Sequence, residues 1–195
     1  MINIAVFASG NGTNCENIIR YCAQSDHINV ALVLCNKSGA PVLERAERLG
    51  VPTAIMPRTD FNDSGKLLPL LREHGVQFIV LAGFLLMIPS FLIQAFPHSI
   101  INIHPSLLPK FGGKGMYGHH VHEAVWAAHE QETGMTVHWV NEQCDGGDII
   151  AQYRVALTPE DTPETIADKE HELEMKHFPG VIAHVLTETF AHPNE

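Results

Sequence analysis

Short apolar runs alternate with amphipathic segments along this chain, and each run has the length of a buried strand. The run Gln77–Ala82 has no charged residue, which is typical of a strand covered on both faces in a parallel sheet. Repeated strand–helix units therefore predict an α/β fold, with a mostly parallel twisted sheet and helices on both faces. The last two strands are expected to pair as an antiparallel edge near the C-terminal end. At 195 residues, the chain has the size of one domain.

The periodicity also predicts where each element lies. Predicted strands cover Ile2–Ala8, Ile28–Cys35, Thr53–Met56, Gln77–Ala82, Ser99–His104, Met135–Asn141 and Ile149–Ala156. Predicted helices cover Asn14–Gln24, Pro41–Leu49, Lys66–Glu73, Pro89–Ala95, His119–Glu130 and Thr162–Phe190, the last broken near Pro179. In such sheets, ligands bind at the carboxyl ends of the strands.

Charge and cysteine content narrow the classes of function. The chain has 12 Lys and Arg against 22 Asp and Glu, a net charge of −10, which argues against a nucleic-acid partner. The apolar run Phe78–Ile88 is too short to span a bilayer, so no membrane partner is expected. Four cysteines without a CxxC pair indicate a reducing compartment, and we expect a cytoplasmic protein.

The stretch from His74 to His122 contains no Asp or Glu. It could shelter an anionic ligand from the net negative charge of the chain. It could equally lack charges because much of it is buried strand. The glycine-rich segment Phe111–Gly118 is not a core sequence, so both interpretations stay open.

The first candidate site is the loop Ser9–Asn14, between the first strand and the first helix. Gly10 and Gly12 would let an oxyanion approach the main chain, and the following N–H groups and helix dipole favour a phosphate. A dinucleotide is disfavoured because Cys15 stands at the third glycine position. The alternative is a simple tight turn.

The second candidate is Asn102 and His104, two residues apart at the end of a predicted strand and hence on one face. An amide and an imidazole there can hydrogen-bond a carbonyl and hold a proton. Pro105 and Pro109 stiffen the exit, and Leu108–Pro109 is a candidate cis bond. The alternative is a histidine with a structural role.

The third candidate is Asp145, which starts a glycine turn after the strand Thr136–Val140. A carboxylate beside His104 would raise the imidazole pKa, hold its orientation and keep it charged. The alternative is an ordinary Asp-Gly hairpin turn.

Four motifs occur in order: SGNGTN, AGF at Ala82–Phe84, INIHPSLLPKF and DGGDII. With them, nearly the whole chain resembles the phosphoribosylglycinamide formyltransferases, folate-dependent enzymes of purine synthesis. INIHPSLLP alone is shared with other enzymes that use 10-formyltetrahydrofolate. The first loop and the short length of the chain favour the phosphoribosylglycinamide formyltransferases among them.

The resemblance implies one Rossmann-like formyltransferase domain over 1–195. It implies a ribonucleotide-binding half of about 1–100 and a folate and catalytic half of about 80–195. The implied reaction transfers the formyl group of 10-formyltetrahydrofolate to the amine of glycinamide ribonucleotide, with no metal required.

The resemblance also implies which residues form the site. Those implied to stabilise the tetrahedral oxyanion are Asn102, His104 and Asp145. Those implied to bind the ribonucleotide are Gly10, Asn11, Gly12, Thr13, Asn14 and Glu174. Those implied to bind the folate are Leu85, Leu86, Met87, Ile88, Asn102, Asn141, Glu142, Gln143, Cys144 and Asp145.

Three positions depart from the family pattern. Leu86 replaces a common arginine, and Lys66 is the nearest candidate for a second one. The segment Gly112–His120 is longer and richer in glycine than in better-known members. These departures concern the contacts to the folate tail and the outer contacts to the phosphate.

Two other functions remain open. A hydrolase using the same folate would release formate without an amine acceptor. A metal-binding or nucleotide-binding module is the alternative from another class, because His119 and Glu123 are one helical turn apart, with His120, His122 and His129 nearby. A solvated helix face explains the same cluster. The sequence does not predict an oligomeric state.

Overall fold

The computed structural model of the chain describes residues 1–191, which form two compact units. Within the described residues, the first unit contains Met1–Ile100 and residues 179–191, and the second contains Ile101–Phe178.

The first unit is a parallel sheet with helices. Its strands are β1 (Ile2–Ala8), β2 (Ile28–Cys35), β3 (Thr53–Ile55) and β4 (Phe78–Leu81), in the order β3-β2-β1-β4. All adjacent pairs are parallel. Its helices are α1 (Thr13–Cys22), α2 (Pro41–Arg48), α3 (Arg58–Phe61), α4 (Ser64–Glu73) and α5 (Ser90–Ala95). The central strands β1 and β4 are buried along most of their length, as expected for strands covered on both faces.

The second unit is built on antiparallel pairing. Its elements are β5 (Ile100–His104), α6 (His119–Ala127), β6 (Glu132–Trp139), β7 (Ile149–Ala156) and most of α7 (Pro163–Ala191). Strand β6 pairs with β5 on one side and β7 on the other. Val121 and Val125 of α6 pack with Ile166 of α7 in a small buried cluster.

The predicted α/β class is confirmed, with a mostly parallel sheet and antiparallel strands near the C-terminal end. Strands β1, β2 and β7 have the predicted bounds, and the other predicted elements differ at their ends. The short helix α3 was not predicted, because four residues are too few for a periodic pattern. The Leu108–Pro109 bond is cis.

The predicted break at Pro179 is wrong, because α7 continues through it to Ala191. A proline inside a helix removes one backbone hydrogen bond but does not forbid helical backbone angles. The flanking apolar side chains Phe178, Val181 and Ile182 are all buried, and their burial stabilises the helix on both sides of the proline.

Among residues 1–191, no helix combines the length and the apolar character needed to cross a membrane.

Candidate active site

The register of β5 and β6 places two polar side chains side by side. Asn102 lies opposite His138, and His104 lies opposite Thr136. Because opposite residues of an antiparallel pair point to the same face, the Asn102 amide meets the His138 imidazole. Their Nδ2 and Nε2 atoms are 3.1 Å apart.

His138 determines which way the Asn102 amide is turned. Its Nδ1 is 2.8 Å from the carbonyl oxygen of Trp139, which only accepts hydrogen bonds, so the proton lies on Nδ1. With the proton on Nδ1, the Nε2 atom accepts a hydrogen bond from Nδ2 of Asn102. His138 was not among the predicted site residues. No local pattern in the sequence could have indicated it, because its contact with Asn102 depends on the register between β5 and β6.

The turn between β6 and β7 brings Asp145 to the same place. Gly147 allows the turn to pack against the end of β6, because a Cβ there would lie 1.7 Å from the Trp139 carbonyl oxygen. One oxygen of Asp145 lies 3.6 Å from Nδ1 of His104, and the other lies 3.7 Å from Nε2 of His138. The predicted group of Asn102, His104 and Asp145 therefore lies together in the second unit.

The glycine-rich segment contacts two members of this group through its backbone. The carbonyl oxygen of Phe111 accepts a hydrogen bond from Nε2 of His104 at 2.8 Å, so that nitrogen carries the proton. The N–H of Gly113 donates to Oδ2 of Asp145 at 2.9 Å. Phe111 has a φ of 54°, in the left-handed region that bulky residues seldom adopt. These bonds orient both side chains and leave Nδ1 of His104 facing Asp145.

The expectation that His104 has a raised pKa is wrong in its net direction. Burial lowers the pKa of His104, and this outweighs the opposite effects of the Asp145 charge and the Phe111 carbonyl. Burial raises the pKa of Asp145, but His138, His104 and the Gly113 N–H together lower it more, so the net shift is downward. A neutral imidazole therefore faces an ionised carboxylate.

Replacing Asp145 with asparagine should lower the His104 pKa further. The change removes the negative charge that favours the imidazolium and keeps the size of the side chain. NMR titration of the His104 ring in both proteins measures the shift, with His184, an exposed residue, as an internal reference. An unchanged or higher His104 pKa would contradict the pairing.

Glu174, on α7, is a buried carboxylate of the second unit and was expected to bind the ribonucleotide. It is 8% exposed, and its Oε2 lies 3.3 Å from Nδ1 of His171. Its charge acts on the pKa of both His104 and His122, so the carboxylate lies near both rings.

The predicted phosphate loop lies in the first unit. Gly12 has a φ of 79° and begins α1, whose first N–H groups follow it. The Ser9 N–H donates to the Gly83 carbonyl at 3.0 Å, and the Leu85 N–H donates to the Ser9 hydroxyl at 2.9 Å. The loop after β1 and the segment 85–88 after β4 are therefore held next to each other, as the carboxyl ends of adjacent parallel strands require.

Two segments were expected to bind the folate. In the first unit, Leu85 and Met87 are 49% and 55% exposed, and such apolar side chains suit the face of an aromatic ring. In the second unit, Asn141 shapes the loop before Asp145, because its Oδ1 accepts from the Gln143 N–H at 2.9 Å and its Nδ2 donates to the Gly146 carbonyl at 3.2 Å. Lys66, the candidate for a missing arginine, pairs with Asp60 at 2.6 Å.

The histidine cluster on α6 forms ion pairs at the surface. His119 and His120 lie 3.4 and 3.5 Å from the carboxylate of Glu123, and all three are more than half exposed. Within the part of the chain that the structure describes, no group of three or more His, Cys, Asp or Glu residues is arranged to hold a metal ion. The solvated helix face accounts for His119, His120 and Glu123, whereas His122 is buried.

Comparison with known proteins points to one family. The family described as formyl transferase matches residues 2–182. The phosphoribosylglycinamide formyltransferase of Bacillus subtilis is 41% identical over 191 residues, which cover 95% of each chain. The chloroplastic phosphoribosylglycinamide formyltransferase of Arabidopsis thaliana is also 41% identical over 95% of this chain, which spans 65% of that protein's length.

The solved structures agree with the sequence relatives. The crystal structure of phosphoribosylglycinamide formyltransferase from Bacillus halodurans is 34% identical, covers 99% of this chain and 100% of its own, and superposes with a TM-score of 0.87. The chain therefore belongs to the phosphoribosylglycinamide formyltransferase family.

Proposed function

We propose that this protein transfers the formyl group of 10-formyltetrahydrofolate to the amine of glycinamide ribonucleotide in purine biosynthesis. The observation that carries the proposal is the group of Asn102, His104 and Asp145 around the buried His104 ring, in a chain of this family. An amide donor, a neutral imidazole and an ionised carboxylate are the groups that acyl transfer to an amine needs.

Asn102 stabilises the formyl oxygen as negative charge develops on it. Its Nδ2 has two hydrogens, and the bond to His138 uses one, which leaves the other for the substrate. Since the amide is already oriented, it does not have to reorganise during the reaction.

His104 moves the proton. It starts neutral, and the His104–Asp145 pair takes a proton from the amine as the nitrogen bonds to the formyl carbon. Asp145 then faces an imidazolium and stabilises it. The bond from the formyl carbon to N10 breaks, N10 takes that proton, and the products are the formylated amine and the free folate. The protein thus starts and ends with a neutral imidazole.

The ribonucleotide is held by the loop Gly10–Asn14 and by Glu174. The N–H groups at the start of α1 suit a phosphate, and a carboxylate suits the two ribose hydroxyls. The segments Leu85–Ile88 and Asn141–Asp145 hold 10-formyltetrahydrofolate, which supplies the formyl group.

A folate analogue should protect these two segments from amide hydrogen exchange. Bound folate would cover their backbone N–H groups, whereas the loop Gly10–Asn14 should be protected much less. Exchange measured by mass spectrometry with and without the analogue checks this. Protection centred on His119–His129 would place the folate elsewhere.

The function is tested by following formyl transfer with glycinamide ribonucleotide present and absent. We expect formylated product and free folate only when the ribonucleotide is present. Formate released at the same rate without it would indicate the hydrolase instead. A cytoplasmic location, with small molecules as the partners, is part of this proposal and is supported by the named activity of the bacterial relative.

A further inference from the structure

A second buried carboxyl lies one helical turn before Glu174 on α7. Glu170 is 3% exposed, and its Oε1 has no hydrogen-bond partner among the described residues. A glutamate is almost never fully buried without a counter-charge, because transferring an ionised carboxylate out of water is strongly unfavourable. The proposed chemistry gives this residue no role.

The Glu170 and Glu174 side chains are hydrogen-bonded to each other. Residues four apart on a helix are neighbours on one face, which explains the contact. Two carboxylates cannot hydrogen-bond, since both only accept, so the pair contains one proton. Two carboxyls in such a site share a proton because like charges at that separation cannot both ionise.

The surroundings decide which residue carries the proton. Glu174 lies against Nδ1 of His171 at 3.3 Å and near the rings of His104 and His122. His171 can donate a hydrogen bond to Glu174 or carry positive charge beside it, and this contact raises the pKa of His171. Glu170 faces only Glu174 among the titratable groups that influence it, and burial and the Glu174 charge raise its pKa well above the usual value. The proton therefore belongs on Glu170.

We infer that Glu170 is a positioning residue for the substrate ribose, a neutral acid that donates its hydrogen bond to Glu174 and holds that carboxylate ready to accept from the ribose hydroxyls. This inference rests on the proposed function, in which Glu174 binds the ribose. The bond fixes one rotamer of Glu174.

The pair should make ribonucleotide binding weaken at alkaline pH. Once Glu170 ionises, its carboxylate repels that of Glu174 and the hydrogen bond is lost. His104 and His122, with their lowered pKa values, are already neutral there, and the His171 ring loses its proton as pH rises. The His171 change also weakens the orientation of Glu174, so Glu170 variants are needed to separate the two effects.

Two substitutions separate the roles of the hydrogen bond and the charge. Glu170→Gln remains neutral at every pH and still donates, whereas Glu170→Leu has a similar volume and cannot donate. Glu172→Leu, at an exposed position on the same helix, is the matched control. Thermal unfolding of each variant establishes that it folds.

We expect Glu170→Leu to raise the KM for glycinamide ribonucleotide about tenfold with little change in kcat, as for loss of a hydrogen bond to a charged group. Glu170→Gln should retain the KM of the unchanged protein near neutral pH and show a smaller rise in KM at alkaline pH. A substrate analogue lacking both ribose hydroxyls should bind with the same affinity to the unchanged protein and to each variant. An unchanged KM in Glu170→Leu, or the same loss in Glu170→Gln, would overturn the inference.

The proton on Glu170 is measured independently of activity. Carbon-13 NMR of the Glu170 carboxyl in the free protein should show that it keeps its proton well above the pH at which an ordinary glutamate ionises, and an ordinary acidic titration would overturn the inference. If the protein transferred no formyl group to glycinamide ribonucleotide, the proposed function would fail while this titration still reported on the pair.

Discussion

Replacing His104 with alanine should remove most formyl transfer while ribonucleotide binding is retained. The change deletes both the group that moves the proton and the partner of Asp145, and losing one such group costs on the order of 10²–10³ in rate. Single-turnover kinetics measure kcat, and calorimetry measures the affinity for glycinamide ribonucleotide. A kcat near that of the unchanged protein would contradict the assigned role.

Because His104 is 4% exposed and bonded to the Phe111 carbonyl, the alanine variant leaves a cavity and an unpaired acceptor. His104→Asn keeps a donor of smaller size, so it is the variant to use if the alanine protein unfolds. Asn102→Ala should show a comparable loss of kcat, since the amide donor is removed and His104 is unchanged. His184→Ala, at an exposed site on α7, is the control that should leave the rate unchanged.

Replacing Gly12 with alanine should lower the affinity for glycinamide ribonucleotide on the order of 10²-fold, the loss of about two hydrogen bonds to a charged group. The backbone there has a φ of 79°, and a Cβ would lie 2.5 Å from the Cβ of Val42 on α2. The loop would have to shift, and its N–H groups would move away from the phosphate.

Gly180→Ala, on α7 and outside the proposed site, is the control for the fold, because a Cβ at that position meets nothing within 4 Å. Calorimetry with the ribonucleotide and with a folate analogue compares the two ligands. We expect the folate analogue to bind Gly12→Ala almost normally. Equal losses for both ligands would indicate a general loss of structure rather than a lost phosphate site.

Much of the candidate site could be predicted because its residues lie at the ends of strands. Asn102 and His104 share a face of β5, and Asp145 stands in the turn after β6. Strand periodicity and turn chemistry are local properties, so they can be read along the chain. His138 was missed because its contact with Asn102 depends on the register between two strands, which no local pattern specifies.

Electrostatics could not be predicted to the same extent. The sequence correctly indicates that a carboxylate next to His104 would favour the imidazolium, but burial has the larger effect and reverses the net shift. The degree of burial depends on how residues far apart in the chain pack around the ring. For the same reason, Glu170 looks like an ordinary helical glutamate in the sequence and is buried against Glu174 in the structure.

The sequence alone therefore determined the α/β class, most strand positions and the family, because apolar periodicity and short motifs are local and repeat along the chain. Tertiary structure decided the orientation of the Asn102 amide, the neutral state of His104 and the pairing of Glu170 with Glu174. It also decided that α7 continues through Pro179, since the burial of its flanking side chains outweighs the lost hydrogen bond. Each of these depends on packing between distant segments, where desolvation and contact geometry outweigh local preference.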